Sequence, residues 1–133
     1  MTNFYDPLRK TDVAATPEEQ VRQWFIGELG STFKVPSHMM MSEVGFSYGS
    51  KRYRADILVY DRAAKPLCVV ECKRPEVDLD EDVLRQAMRY NAVLDVRWLI
   101  VTNGTRTLIY RRRDGSFVPS DRIPVYEQML CPL

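Results

Sequence analysis

The side chains best suited to chemistry in this sequence are two acids and an amine. Glu71 and Lys73 end the run Leu67-Cys68-Val69-Val70-Glu71-Cys72-Lys73-Arg74-Pro75, which reads as a short β-branched strand stopped by proline. Asp56 sits in the middle of the preceding run, Arg52-Tyr53-Arg54-Ala55-Asp56-Ile57-Leu58-Val59-Tyr60, where aspartate is disfavoured. Strand side chains alternate between faces, so Glu71 and Lys73 share a side with Leu67 and Val69, roughly 7 Å apart along the strand. Charge therefore falls at the end of an otherwise buried face. An ion buried without a partner costs on the order of several kcal/mol, so the group needs a salt bridge, solvent or a cation. Neighbouring carboxylates repel and raise a pKa unless a cation is supplied, and oxygen ligands with room for water favour Mg2+ or Mn2+. For Glu-x-Lys taken alone, a strand-end ion pair is the plainer reading. With a single histidine, His38, and no Cys/His cluster, a zinc site or a serine or cysteine triad has little to be built from.

The elements that must hold these groups can be read from pattern. Residues 1–15 show no period and contain Asp6-Pro7, and are expected to form an arm with Phe4, Tyr5 and Leu8 as anchors. Thr16-Pro17-Glu18-Glu19 places threonine at N-cap, proline at the first helical position and glutamate at N3, a capping box; Val21, Trp24, Phe25 and Leu29 follow as an apolar stripe, and Gly30 closes the helix. Glu19 is already explained as a capping residue. Residues 39–46 read as a weak edge strand, followed by a turn at residues 48–51. The short connection from Asp61 to Pro66 makes the Asp56 and Glu71 strands antiparallel neighbours, so the two acids can face each other. A second helix spans residues 78–94, with Leu79, Val83, Gln86, Ala87, Tyr90 and Leu94 on one face. Two further strands, residues 96–102 and 105–111, meet through Asn103-Gly104. Arg111-Arg112-Arg113 reads as a solvated face. Residues 113–133 are expected to be irregular, apart from a helical turn near residues 126–130.

The chain of 133 residues, 45% hydrophobic and 28% charged, suits one globular domain: an arm over 1–15, a core over 16–112 and a tail over 113–133. The expected fold class is α/β, a mixed sheet of about five strands flanked by two main helices. A net charge of +1 draws no polyanion by itself, so nucleic-acid contact would need a local basic patch. Three cysteines, two of them on one inner strand face, read as reduced thiols of a cytoplasmic protein, and no run has the length of a membrane span or the pattern of a signal peptide.

Six blocks in order carry a resemblance: Tyr5-Asp6-Pro7-Leu8-Arg9-Lys10, Thr16-Pro17-Glu18-Glu19-Gln20-Val21-Arg22-Gln23, Arg54-Ala55-Asp56-Ile57, Val70-Glu71-Cys72-Lys73, Gln86-x-x-x-Tyr90-Asn91 and Val101-Thr102-Asn103-Gly104. Together with the element order, they make the chain resemble the PD-(D/E)xK nuclease superfamily. More narrowly, it resembles a compact, stand-alone form of the N-terminal domain of type I restriction enzyme R subunits. The resemblance implies a restriction-endonuclease-like core and metal-dependent hydrolysis of DNA phosphodiester bonds. It implies Asp56, Glu71 and Glu19 as metal ligands for Mg2+ or Mn2+, and Lys73 as the residue that steers water and offsets developing charge. Gln86 and Tyr90 match an element that supports DNA and the site in related nucleases. Ala55 departs from the proline of the superfamily signature.

Lys51, Arg52, Arg54, Arg74, Arg85 and Arg89 are available for the DNA backbone. No helicase motor follows, so motor, modification or specificity subunits are expected partners, and a homodimer could cut both strands. Two alternatives stay open. The same fold could serve as a catalytically weak or inactive module for DNA binding or subunit docking, or the charges could be a salt-bridged network in an interaction protein.

Overall fold

The computed structural model describes residues 3–131. Its centre is a six-stranded sheet of β3 (Met40–Tyr48), β4 (Lys51–Tyr60), β5 (Pro66–Cys72), β6 (Trp98–Thr102), β7 (Thr107–Arg113) and β8 (Ser116–Pro119), neighbours in that order. β1 (Asn3–Asp6) and β2 (Thr11–Ala14) pair separately as an antiparallel hairpin. All pairings in the main sheet are antiparallel except β5 with β6. That parallel pair requires a crossover, and α2 (Glu81–Asn91) provides it.

Two hydrophobic layers enclose the sheet. α1 (Pro17–Ser31) and α3 (Tyr126–Leu130) pack on one face over Ile57, Val59, Cys68, Val70 and Ile100. α2 packs on the other over Leu58, Val69, Leu99 and Val101. Burial on both faces accounts for the unbroken apolar runs Leu67–Val70 and Trp98–Val101, which do not alternate. Cys68 and Cys72 are free thiols inside the α1-side layer, and burial pushes both upward in pKa. Among the described residues no helix is long and apolar enough to cross a membrane.

The architecture is the expected mixed α/β sheet, with corrections to its parts. Residues 3–14 form a hairpin rather than an irregular arm; of the expected anchors, Leu8 packs on the core while Tyr5 is exposed. Thr16 caps α1, accepting the Glu19 N–H at 3.1 Å, but the expected capping box is only half formed: the Thr16 N–H donates to the Ala14 carbonyl at 2.9 Å, and the Glu19 carboxylate accepts from Arg9, Arg22 and Gln23 instead. The helix continues through Gly30 to Ser31 because that glycine does not enter the left-handed region. α2 is shorter than the acid-rich segment suggested, with Asp80 as its cap. Its sheet-facing side includes Leu84, Met88 and Asn91, whereas Gln86 is exposed.

The C-terminal region departs most from expectation. Asp114-Gly115 turns the chain into β8, a sixth strand. Arg112 is half-buried: it donates to the carbonyls of Ala92 and Leu94 and pairs with Asp95 at 3.1 Å, so it ties down the end of α2. α3 is structural core. Tyr126 and Met129 are fully buried, the Tyr126 hydroxyl donates to the Tyr60 carbonyl at 2.8 Å, and Trp98 Nε1 donates to the Met129 carbonyl at 3.2 Å. A five-residue helix is too short to show a period, and Pro119 and Pro124 make its surroundings look irregular. Met129→Ala should leave a cavity under the sheet and lower unfolding free energy by about 3 kcal/mol, read as a reduced midpoint in urea denaturation.

Candidate active site

Asp56 and Glu71 are neighbours across β4 and β5. The antiparallel register pairs Ile57 with Val70, so one step further along the same ladder sets Asp56 opposite Glu71. Both side chains line a cleft of about 450 Å³ together with Glu18, Arg54, Lys73, Arg74, Gln86 and Tyr90. Lys73 lies just past the end of β5, where its N–H donates to the Thr102 carbonyl at 2.8 Å and keeps the chain beside β6 after the strand stops. Asp56, Glu71 and Lys73 thus meet at one opening, as the strand pattern implied.

Behind the cleft is a cation that the sequence reading left without a role. Arg22 of α1 is buried, and its Nη2 lies 2.9 Å from Asp56 Oδ1 and 2.6 Å from Glu43 Oε1. Its Nη1 lies 2.6 Å from Glu19 Oε1. Burial penalises the guanidinium charge, but the hydrogen bond to Asp56 and the fields of Asp56, Glu43 and Glu19 more than restore it. The Cys72 N–H holds the second oxygen of Asp56 at 2.8 Å. A signal existed: Arg22 stands one turn before Phe25 and Ile26 on the buried stripe, with Glu18 and Glu19 one turn earlier.

Glu19 does not line the cleft. Arg9 Nη2 at 2.7 Å and Arg22 Nη1 hold its Oε1, and Gln23 Nε2 donates to its Oε2 at 3.0 Å. The adjacent Glu18, about half exposed, occupies the cleft wall instead. A helix turns about 100° per residue, so neighbouring acids at the start of α1 face different surroundings. Glu43 also went unassigned. It takes a left-handed backbone (φ 54°) within β3, opposite Asp56, where the ladder lapses between Ser42–Ile57 and Val44–Ala55. Such a conformation costs on the order of 1 kcal/mol for a non-glycine residue. It lets the Glu43 carboxylate reach both Arg22 and, at 3.0 Å, Arg54.

α2 forms the opposite wall. Gln86 presents its exposed amide to the cleft. The Tyr90 hydroxyl accepts the Arg54 N–H at 2.8 Å, and its ring meets Tyr53 edge-on, which braces the start of β4. Asn91, buried and also unassigned from sequence, donates from Nδ2 to the Ala87 carbonyl at 2.8 Å and approaches Glu71 Oε2 at 3.5 Å. Arg54 and Arg74 remain largely exposed at the rim.

The donor set decides what the cleft could hold. Among the described residues no three His, Cys, Asp or Glu side chains converge closely enough to enclose a metal ion. Zinc, which needs three or four protein ligands, is a poor fit. Asp56 and Glu71 supply two oxygen donors, which fits Mg2+ or Mn2+, ions that retain waters and share their shell with a substrate's phosphate. Glu71 has the chemistry of a carboxylate short of a cation. Burial holds its carboxyl above the ordinary 4.5; Lys73 and the Asn91 amide work against that rise, and Asp56 and Glu18 add to it.

The family model described as "Type I restriction enzyme R protein N terminus" matches residues 17–124. No curated protein matches the sequence. Among solved structures, a fragment of a candidate HsdR subunit of a type I restriction enzyme from Vibrio vulnificus YJ016 superposes with a TM-score of 0.61 at 20% identity, covering 88% of this chain and 25% of that one. The chain therefore spans about a quarter of that fragment's length. A candidate nuclease of the DUF820 group from Anabaena variabilis ATCC 29413 superposes with a TM-score of 0.52 at 13% identity, covering 96% of this chain and 83% of that one. At these identities the structures establish likeness of fold.

Glu71 sets a pH signature. Its folded pKa lies above the unfolded value, so the folded state binds the extra proton and stability falls as pH rises from 4.5 through the folded pKa. Glu71→Gln removes that loss. The variant should melt higher than the wild type at pH 7 without divalent ions, with the gap closing below pH 4.5, as followed by thermal circular dichroism.

Proposed function

The chain belongs to the type I restriction enzyme R protein N-terminal family, and from that membership and the geometry of the cleft we propose that it is a metal-dependent endonuclease domain of restriction type, hydrolysing DNA phosphodiester bonds. One observation carries the reading: Asp56 from β4, Glu71 near the end of β5 and Lys73 just beyond it line one open cleft. Its wall carries the carboxylates of Glu18, Asp56 and Glu71 against Arg54, Lys73 and Arg74, and two of those cations are drawn to acids outside it, Arg54 to Glu43 and Arg74 to Glu76.

Asp56 and Glu71 are the residues that would hold Mg2+ or Mn2+, and such an ion supplies Lewis acidity and positive charge at a phosphate. Lys73 makes no ion pair among the described residues and is free to place its ammonium where charge develops on the phosphate oxygens. Arg54 and Arg74, exposed on the rim, suit sequence-independent contact with the nucleic-acid backbone. Gln86 offers a hydrogen-bonding amide from the opposite wall. Glu18, at the cleft, is the better-placed helix acid than Glu19. Translocation and site recognition would come from motor, modification or specificity subunits, and a homodimer would supply a second cut.

Two contacts favour a second reading. Arg22 and the Cys72 N–H already engage both oxygens of Asp56, a self-sufficient arrangement suited to a module that docks DNA or partner subunits without cleaving. Plasmid nicking separates the two. The wild type should relax supercoiled DNA with Mg2+ or Mn2+ and stop when the ion is chelated, while Lys73→Ala and Glu71→Ala should each be slower by about a hundredfold or more with unchanged circular dichroism. Supercoiled DNA left intact by the wild type with either ion, even when restriction-system subunits are added, would retire the endonuclease reading in favour of docking.

A further inference from the structure

We propose that Arg9 is a positioning residue for the cleft: from the N-terminal hairpin it grips Glu19 and thereby holds Arg22 against Asp56. The hairpin lies before residues 17–124, the segment matched by the family model. Its turn is built to aim Arg9. Asp6, at the end of β1, is fully buried; its Oδ1 accepts the Leu8 N–H at 2.8 Å and the Arg9 N–H at 3.2 Å, and its Oδ2 accepts from Arg9 Nε and, at 3.2 Å, from Ser42 Oγ. Burial opposes the charge on Asp6, yet Arg9 and these amides keep its carboxyl below the usual range. Arg9 is thus oriented at Nε by Asp6 and points Nη2 at Glu19 Oε1, 2.7 Å away.

That same Glu19 oxygen receives Arg22 Nη1 at 2.6 Å, and Arg22 Nη2 reaches Asp56 Oδ1 at 2.9 Å. Asp6, Arg9, Glu19, Arg22 and Asp56 therefore form an unbroken series from hairpin to cleft. Arg22 Nε is buried and has no hydrogen-bond partner. Only the two Nη groups fix the guanidinium: Nη2 lies between Asp56 and Glu43, and Nη1 rests on Glu19, so the position of Glu19 sets how the Nη1 side is turned. A Glu19 carboxylate released from Arg9 can turn with Arg22, and Asp56 loses the contact that sets one of its oxygens. The metal consequence rests on the function proposed above; the geometric linkage does not.

The test uses Arg9→Met in the full chain, with Arg9→Lys as the conservative variant. The Cys72 N–H, which donates to Asp56, reports the carboxylate without any metal. Its exchange in NMR should quicken about tenfold in Arg9→Met while the Val70 amide is unchanged. In calorimetric titration with Mn2+ alone, affinity should weaken by about tenfold, and Arg9→Lys, with one charge but no fork, should recover part of it. If Arg9→Met loses folded protein by circular dichroism, Glu19→Gln breaks the same link at similar size and is held to the same outcomes. Cys72 exchange at the wild-type rate overturns the proposal, as does wild-type Mn2+ affinity in the variant. A wild type that takes up no Mn2+ overturns the metal reading instead and leaves the exchange result to decide the linkage.

Discussion

A guanidinium cannot be buried without carboxylates around it, and much of this structure follows from where Arg22 is put. Removing an ion from water carries a cost that only close, well-directed opposite charge offsets. Arg22, exposed by only 6% at its side chain, meets Glu19, Glu43 and Asp56 within 3 Å. Each partner is constrained in turn. Glu19 is drawn away from the opening, Glu43 accepts a left-handed backbone in the middle of a strand, and Asp56 is held at the edge of solvent rather than folded back into the core. A dense ion cluster is thereby placed between the two sheets and α1, next to the cleft.

The sheet supplies the opening. β5 and β6 run parallel and end together, with Glu71 and Lys73 at the carboxyl end of β5 and Thr102 at the end of β6. A crossover helix must leave from that end, and α2 arrives as a wall facing α1 across a gap. In α/β sheets, crevices beyond the carboxyl ends of strands are the usual places for ligands. Here the antiparallel β4 adds an acid from the other direction, so acids of two adjacent strands converge, with Lys73 one residue beyond its strand and held there by the Thr102 carbonyl. Rigid elements hold such groups more accurately than loops do.

The likeness to the Vibrio vulnificus fragment and to the Anabaena variabilis protein is one of fold, over 88% and 96% of this chain. A chain a quarter of the fragment's length contains the whole cleft. Its C-terminal β8 and α3 complete the core, with Tyr126 and Met129 sealing the α1-side layer.

Asp56, Glu71 and Lys73 were legible in the sequence because each violates the pattern around it, an acid or amine in a run of β-branched residues, and because strand alternation and a short connection leave few registers open. The Thr16 cap and the Asn103-Gly104 turn were readable for the same local reason. Arg22, Glu43 and Asn91 were not, since a polar side chain on a helix or edge strand looks the same whether solvent or buried charged partners await it. Nor could periodicity choose between Glu18 and Glu19, adjacent residues of one helical turn whose fates depend on Arg9, ten residues before Glu19 and in the turn of a separate hairpin. Local pattern reports which residues the backbone can place on a face; burial of charge is settled by partners far away in the chain, and those exist only once the layers have packed.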